Sequence, residues 1–429
     1  MKKFLAATLA ACTMMLAACE DSDHTNTPAT EDYMIETALN QPELSASEVP
    51  DVPAADKAVW AGQVNPFGFS VIERLTENHG NIVISPVSLH SALAMAAYGA
   101  DGNTYSEIAS VLNFTQSREI AEKLVADMQL ELRYDGQNIN SHFVMANNLW
   151  VDQKVNLSET FKDVMKTIFK APVQICNFID YAIYVVDKLN EWLMDLAGAV
   201  APTIVEKVEN IQFMLVSATK FEGKWAHPFD ADLTQQKRFM GNSKETLIDF
   251  MHIVYDFEYY ESVEKGYQAI VIPYMDDIFD MVIILPNDVD NAKTALQNID
   301  ADDFANIFLD TPAHRLIELS LPKFEISYDF SPAEFISRLQ NIGIKDAFAE
   351  GLANFDILSP SYNVFIDSFL HQAVIAVDES GTNTSSTQSV ATDKDNTDAL
   401  KIDVDHAFAF AIVHKASGAL VYLGVVNDL

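Results

Sequence analysis

The sequence predicts an α+β fold in one large domain, because helical patterns occupy much of its first part and strand patterns dominate from Ile211 onward. Helices first and strands later, without a regular βαβ alternation, are typical of this class. Hydrophobic residues make up 49% of the 429-residue chain and are spread along it, with no internal low-complexity linker. We therefore expect a single core spanning residues 57–429, preceded by a tail.

The predicted helices lie mainly in the first part of this domain. In NPFGFSVIERL the residues Phe67, Val71 and Leu75 lie four apart on one helical face, with Pro66 in the first turn. The segment SPVSLHSALAMAAYGA begins with Ser85 as N-cap and is apolar or small nearly all round, which predicts a buried helix. Two further helices are predicted in DGNTYSEIASVL and SPAEFISRLQNIG.

The remaining elements are predicted strands, rich in β-branched and aromatic residues. A final hairpin turns near Ser417 and Gly418. In chain order the predicted strand segments before it are IQFMLVSATKF, FEYYES, YQAIVIPYM, FDMVIILP and RLIELSLPKFEIS.

The first residues predict an export signal rather than part of the fold. Lys2 and Lys3 precede a short apolar run that ends in Leu-Ala-Ala-Cys, which resembles a bacterial lipobox. Residues 1–18 are therefore predicted to be a lipoprotein signal peptide, with Cys19 as the lipidated residue. Residues 19–56 contain ten acids and no Lys or Arg, which predicts an acidic disordered tether.

The composition argues against several classes of function. A formal net charge of −35 disfavours binding to nucleic acid. The sequence has no G-x-S-x-G, H-E-x-x-H, C-x-x-C, G-x-G-x-x-G or Walker motif, and its ten histidines lack ligand spacing. Only Cys176 remains as a thiol once Cys12 has left with the signal peptide and Cys19 is lipidated. We therefore predict no enzyme, no metal site and no cofactor.

One polar segment stands between two apolar ones near the C-terminus. From Thr382 to Asp398, eight of seventeen residues are Ser or Thr, and the only large aliphatic residue is Val390. The flanking segments NVFIDSFLHQAVIAV and HAFAFAIVHKASGALVYLGVV are predicted core strands. Packing gives no reason for such a loop between core strands, so its composition indicates a function.

Five segments together resemble the serpin family, in the family's order, between Asn65 and Leu429. The resemblance implies a fold of three β-sheets with eight or nine helices and an exposed reactive loop at about residues 379–400. It also implies a mechanism in which a protease cleaves this loop, forms an acyl-enzyme, and is trapped when the cut loop inserts as a new strand in the large sheet. The segments are NIVISPVSLHSALAMAAYGADGNT, FEGKWAHPFD, IVIPYMDDIFDMVIILP, LPKFEISYDF and HAFAFAIVHKASGALVYLGVVND.

The resemblance also implies roles for individual residues. A hinge starts the reactive loop, and small side chains there suit insertion; its residues are Glu379, Gly381, Thr382, Thr384 and Ser386. A polar cluster beneath the centre of the opening sheet, the shutter, is implied for Ser85, Ser88, Ser217 and His371. Trp225 and an ion pair between Glu379 and Lys323 are implied where the loop meets the sheet.

The reactive bond follows from counting along the loop. In typical inhibitory members it lies fourteen positions after the hinge glycine, which here gives Asp395–Asn396 and a protease that cleaves after Asp. A shift of one residue gives Lys394–Asp395 instead, and a protease that cleaves after Lys. The resemblance leaves both registers open.

Three positions depart from the family pattern. Ser217 stands where the family usually has Asn, and Asn383 follows Thr382 where the family usually has Glu and then alanines. On insertion Gln388 would bury an amide that needs partners. A non-inhibitory serpin-fold protein, which is a protease substrate or binds a ligand, therefore remains the alternative to a suicide-substrate inhibitor of serine or cysteine proteases.

The expected partners follow from these interpretations. They are a target protease in a covalent acyl-enzyme complex and the membrane that holds the lipid anchor, with the protein itself a monomer. The domain is expected on the periplasmic or the cell-surface side of that membrane, and both locations are compatible with the sequence.

Overall fold

The computed structural model describes residues 43–76, 80–171, 173–197, 211–289, 299–309, 313–327, 331–383 and 398–429. Within these ranges it contains eight α-helices and sixteen β-strands, which confirms the predicted α+β class. The helices are α1 (Ala54–Thr76), α2 (Pro86–Gly99), α3 (Gly102–Val111), α4 (Arg118–Asp135), α5 (Glu159–Thr167), α6 (Ala182–Ala197), α7 (Ala301–Leu309) and α8 (Pro332–Ile342).

The first eight strands precede α7, and the last eight follow it. The first eight are β1 (Ile82–Ile84), β2 (Ser141–Asp152), β3 (Gln174–Cys176), β4 (Phe213–Lys224), β5 (Gln235–Met240), β6 (Glu245–Ser262), β7 (Tyr267–Pro273) and β8 (Phe279–Pro286). The last eight are β9 (Ala313–Pro322), β10 (Phe324–Ser327), β11 (Ser368–Gln372), β12 (Val374–Asp378), β13 (Gly381–Thr382), β14 (Leu400–Asp403), β15 (Phe408–His414) and β16 (Ala419–Val426).

The strands form two hydrogen-bonded networks. One is a seven-stranded sheet in the order β10-β12-β13-β4-β2-β3, with β11 also paired to β4. The other has nine strands in the order β1-β16-β15-β8-β7-β6-β9-β14, with β5 also on β6. The eighteen-residue β6 pairs with β5 and β9 along most of its length and with β7 at its end, so it joins these strands into one network, and two networks are described where the resemblance implied three sheets.

The buried helix α2 lies between the two sheets. It packs against β2 and β4 of one sheet and β16 of the other, and thirteen of its fourteen residues are buried, as its nearly uniform apolar pattern predicts. Ser85 is at the N-cap position, but its hydroxyl does not cap the helix. On the opposite face of the seven-stranded sheet, α6 packs against β4. This sheet is therefore covered on both faces.

No helix among the described ranges is long and apolar enough to cross a bilayer.

Described elements precede residue 57, where the predicted domain begins. Helix α1 begins at Ala54, so Pro66 lies in its middle and not in its first turn. Before the helix, Leu44 is buried, and its backbone N–H and carbonyl bond to the side-chain amide of Gln137. The last part of the predicted tether is thus packed on the domain. Residues 1–42, with the predicted signal peptide and Cys19, lie outside the described residues.

Candidate functional site

In the seven-stranded sheet, one run of chain pairs directly with β4 at one end and is separated from it by an extra strand at the other end. β11 and β12 are one run of chain interrupted only by Ala373. β11 pairs directly and in parallel with β4, from Ser368 opposite Met214 to Gln372 opposite Ala218. Beyond Ala373, β13 lies between β12 and β4 and is antiparallel to both. The first residues of the predicted hinge are therefore already inside the sheet.

A close backbone contact admits β13 to this position. Gly381 and Thr382 pair with Lys224 and Gly223 of β4. A Cβ atom on Gly381 would lie 1.9 Å from the carbonyl oxygen of Gly223, so only glycine fits this site. The turn into β13 is held by Asp378, whose carboxylate accepts from the backbone N–H groups of Ser380 and Gly381 at 2.8 and 3.2 Å.

Thr382 enters a buried aromatic pocket. Its side chain is fully buried, and its hydroxyl lies 2.6 Å from the hydroxyl of Tyr274. The Tyr274 ring stacks on Trp225 with centroids 4.7 Å apart, and the Trp225 indole N–H donates to the carbonyl of Asp378 at 2.9 Å. Burial raises the pKa of Tyr274 well above its ordinary value, so this phenol remains a neutral hydrogen-bonding group. Trp225 therefore lies beside the hinge, where the resemblance implied it.

The implied ion pair between Glu379 and Lys323 is present in the structure. The Lys323 Nζ lies 3.0 Å from one Glu379 carboxylate oxygen, and the Thr234 hydroxyl donates to the other at 2.7 Å. Burial acts to raise the pKa of Glu379, but the hydrogen bonds from Thr234 and the backbone and the contact with Lys323 outweigh it, so the pKa lies below its ordinary value. Glu379 is thus a charged anchor at the start of the loop.

Asn383 ends β13 with an unusual set of contacts. Its φ is +51°, which turns the chain out of the extended conformation. Its backbone N–H donates to Ala376 O at 2.7 Å, and its side-chain oxygen accepts from Ala376 N at 2.8 Å. Its side-chain amide donates to Phe221 O of β4 at 2.8 Å and also approaches Val374 O of β12 at 3.5 Å. One side chain therefore bridges the two strands at the point where they separate.

The shutter residues form a buried chain of hydrogen bonds where β11 and β4 are still paired. His371 and Ser217 are directly opposite each other, and the His371 Nδ1 lies 3.0 Å from the Ser217 hydroxyl. The Ser217 hydroxyl lies 2.9 Å from that of Ser88, which donates to the Asn147 side-chain oxygen at 2.8 Å. Ser85 joins through its backbone, because its N–H donates to His371 Nε2 at 3.1 Å.

The geometry fixes the tautomer of His371. Because Nε2 accepts the Ser85 N–H, the ring proton must be on Nδ1, where it points to Ser217. Burial lowers the pKa of His371 to about 3. A proton added at Nε2 would also face a backbone donor, so the shutter is intact only with a neutral imidazole.

One further group of titratable side chains lies elsewhere, between α4 and β15. Ligand atoms of Glu131, Asp135 and His414 lie within 4.8 Å of one another. The Lys57 ammonium contacts Glu131, and His414 Nε2 lies 2.9 Å from the Asp135 carboxylate. Each acid thus has a partner, and we interpret this group as a network of one ion pair, Lys57–Glu131, and one hydrogen-bonded pair, His414–Asp135, that joins α1, α4 and β15.

The structure places the predicted site residues that it describes in two clusters, one at the hinge and one at the shutter, and adds four residues that sequence reasoning missed. Thr384, Ser386, Lys394, Asp395 and Asn396 lie outside the described residues. Of these four additions, Asn383 was noted only as a departure from the family. The other three lie on other strands or loops, and no local sequence pattern marks them as parts of a site. The additions are Asn147, Thr234, Tyr274 and Asn383.

Comparison with known proteins identifies a family and relatives to which this chain is similar in sequence. The family model described as serpin (serine protease inhibitor) matches residues 62–429. A serine protease inhibitor of Cyanea capillata is 27% identical over 356 residues, covering 81% of this chain and 92% of its own. Intracellular coagulation inhibitor 2 of Tachypleus tridentatus is 29% identical over 377 residues, covering 85% and 90%.

Solved structures show the same fold at lower identity. The thermophilic serpin tengpin in its native state has a TM-score of 0.77 at 22% identity, covering 91% of this chain and 98% of its own. Uncleaved ovalbumin has a TM-score of 0.76 at 20% identity, covering 86% and 99%. Human thyroxine-binding globulin has a TM-score of 0.78 at 19% identity, covering 87% and 99%.

Proposed function

Because the chain belongs to the serpin family, we propose that it is a suicide-substrate inhibitor of serine or cysteine proteases. In this proposal residues 379–400 are the bait, and the protein supplies no catalytic residue, metal or cofactor. The observation that carries the proposal is the position of β13, which occupies the top of the gap that a longer inserted strand would fill. Inhibitory relatives of similar length support the same class of activity.

The strand registers support a continuous path for insertion. Residue 388 falls opposite Ser217 when the pairing of β13 with β4 is extended, and opposite His371 when its pairing with β12 is extended. These two residues already face each other in the β11–β4 ladder, so both registers agree and insertion needs no slip. The same register brings residue 392 opposite Phe213, the first residue of β4. Once β11 and β4 separate, this register would therefore accommodate about ten more loop residues, 383–392.

The free energy available from insertion is large. Each newly inserted residue replaces one ladder with two, which nets roughly 1 kcal/mol of hydrogen bonding. Ten residues therefore supply on the order of 10 kcal/mol before packing is counted. Thr384 and Ser386, which would share the inward face with Thr382, carry side chains small enough to enter the sheet.

The chemistry of trapping uses the protease's own first step. Its Ser or Cys nucleophile attacks the backbone carbonyl carbon of the bait residue, the peptide C–N bond breaks, and the new amine leaves with a proton from the protease's general acid. The bait residue is then held as an ester or thioester. Insertion pulls this bond away from the oxyanion hole and the base that would direct water to it, which slows release by orders of magnitude. Asp395 is the proposed bait residue, with Lys394 as the alternative register.

The proposed location is the surface of a membrane. Lipidation of Cys19 would anchor the chain, and the acidic residues that follow would separate the domain from the bilayer on its periplasmic or outer side. Replacement Cys19→Ala should abolish palmitate labelling and release the domain from the membrane fraction. Protease shaving of intact cells then distinguishes a surface location from a periplasmic one. Retained labelling in the variant would contradict the anchor.

The test of inhibition is a panel of proteases with different specificities, incubated with the purified monomeric domain. We expect a covalent complex that survives denaturation with at least one protease that cleaves after Asp or Lys. Mass spectrometry of the released C-terminal fragment then assigns the bond, because a start at Asn396 identifies Asp395 as bait and a start at Asp395 identifies Lys394. Cleavage by every active protease without a complex would refute the inhibitor and favour a non-inhibitory substrate protein.

A further inference from the structure

Asn383 does more than end a two-residue strand. If β13 were extended in its present register, Asn383 would lie opposite Ala376 of β12. The two residues would form a hydrogen-bonded pair, because the Asn383 N–H already donates to Ala376 O. In such a pair the backbone carbonyl of Asn383 would accept from Ala376 N. That position is taken by its own side-chain oxygen, at 2.8 Å.

The same side chain takes the next position on the other side of the gap. In the β13–β4 register residue 384 falls opposite Phe221, and its backbone N–H would donate to the carbonyl of Phe221. The Asn383 side-chain amide already donates there, at 2.8 Å. The side-chain amide thus occupies two main-chain groups with which a growing strand would need to pair, the Ala376 N–H on β12 and the Phe221 carbonyl on β4.

We propose that Asn383 is a positioning residue that plugs the sheet and holds the hinge at two inserted residues until the loop is cut. This proposal rests on the proposed inhibitory function and concerns its timing. For the third residue to enter, Asn383 must leave its left-handed φ of +51° and release Ala376 N and Phe221 O together. Insertion therefore has a side-chain barrier at its first step.

A hinge held in this way would meet two opposite requirements of the reaction, one before the protease attacks and one after it. Before attack the loop must stay out of the sheet, since an inserted bait cannot reach a protease. After attack it must enter faster than the acyl bond is hydrolysed. A plug that is bonded only at the first rung slows spontaneous entry, and it offers no resistance once the following residues begin to pair.

The test compares rates of loop insertion after a single verified cut between residues 390 and 398. Insertion is followed by the fluorescence of tryptophan, because Trp225 contacts Tyr274, which binds the hinge. Protease is raised until the observed rate no longer increases, so that cleavage does not limit it. The central variant is Asn383→Gly, which accepts the left-handed backbone but removes the side chain.

We expect the loop of Asn383→Gly to insert at least about fivefold faster than that of wild type, because the variant has at least one net hydrogen bond fewer to break before insertion. Its uncut form should melt at a lower temperature, whereas its cut form should melt like cut wild type, because the main chain then makes these bonds. Asn383→Asp keeps the acceptor for Ala376 but loses the donor to Phe221, so its insertion rate should also exceed that of wild type.

Asn65→Ala is the matched control. Asn65 also donates its amide to a carbonyl, that of Gly418, and accepts from a backbone N–H, that of Leu420, but it joins α1 to the last hairpin. It should lower the melting temperature of cut and uncut protein alike and leave the insertion rate unchanged.

The outcomes separate this proposal from the function on which it rests. If cut wild type shows no rise in melting temperature, the loop does not insert, and both proposals fail. If cut wild type is stabilised but Asn383→Gly inserts at the wild-type rate, the plug is refuted and the inhibitory mechanism stands. Equal losses of melting temperature in cut and uncut Asn383→Gly would also refute the plug, since they indicate an ordinary packing role.

Discussion

His371 should make the native protein lose stability as the solution is acidified. Its pKa is about 3 in the folded state, whereas an exposed histidine in the unfolded chain has a pKa of about 6.5. Between these values the unfolded chain binds a proton that the folded protein does not, so stability is complete above pH 6.5 and falls as the pH falls toward 3. At pH 5 the loss from this one group is about 2 kcal/mol.

The measurement is a double difference. Urea unfolding of wild type and His371→Gln at pH 8 and pH 5 gives the pH dependence of each, and wild type should lose about 2 kcal/mol more. His90, with a pKa of about 4, acts in the same direction as His371, and Asp280, with a pKa of about 6, acts in the opposite one. Both are present in both proteins and cancel.

The matched control for this experiment is Leu247→Gln, which introduces the same side chain at an exposed position on β6 without removing a titratable group and should keep the wild-type pH dependence. The reasoning is refuted if His371→Gln and wild type lose equal stability between the two pH values. The same result would remove the argument that a neutral imidazole is required between Ser85 and Ser217.

Three further predictions concern the loop. A single cut between residues 390 and 398 should raise the melting temperature in calorimetry by roughly 15 °C, since about 10 kcal/mol of pairing is gained, and an unchanged value would contradict insertion. Thr382→Arg should turn the inhibitor into a substrate, because its fully buried position has no partner for a guanidinium; Thr115→Arg at an exposed site should still form complexes, and complex formation by the first variant would count against the hinge. Gln388→Ala should lower the free energy of unfolding of the cut form by about 1–3 kcal/mol and leave that of the uncut form unchanged, because the inserted amide would lie opposite Ser217 and His371. An equal effect on both forms would show that the register is wrong.

Sequence patterns predicted the class of the fold and the buried helix α2, because its apolar residues leave no polar face. They failed at α1, where the prolines and acids before residue 57 obscured a helix that buries Trp60 and begins at Ala54. They also missed β2, although ten of its twelve residues are buried, since a strand covered on both faces shows no alternation.

The candidate site was predictable only through the resemblance, and only in part. Ser85, Ser88 and His371 came from matched motifs, and the structure brings them together. The bond between Tyr274 and Thr382 joins residues 108 positions apart and depends on how far the hinge enters the sheet. From the sequence, Asn383 was noted only as a departure from the family pattern at the hinge. Its role as a bridge follows from register and from a positive φ, neither of which its sequence neighbours indicate.

Ala373 marks the junction where direct pairing with β4 ends. On one side of it β11 pairs with β4, and on the other side β13 lies between β12 and β4, which has a mechanical consequence. Each residue that enters advances the junction by about 3.3 Å and gains roughly 1 kcal/mol. A free-energy gradient of this size is a pulling force of about 20 pN, nearly constant along the sheet because every rung is exchanged in the same way. In the proposed mechanism, insertion would therefore act as one pulling stroke of about 30 Å, driven by free energy stored during folding and released when one peptide bond is broken.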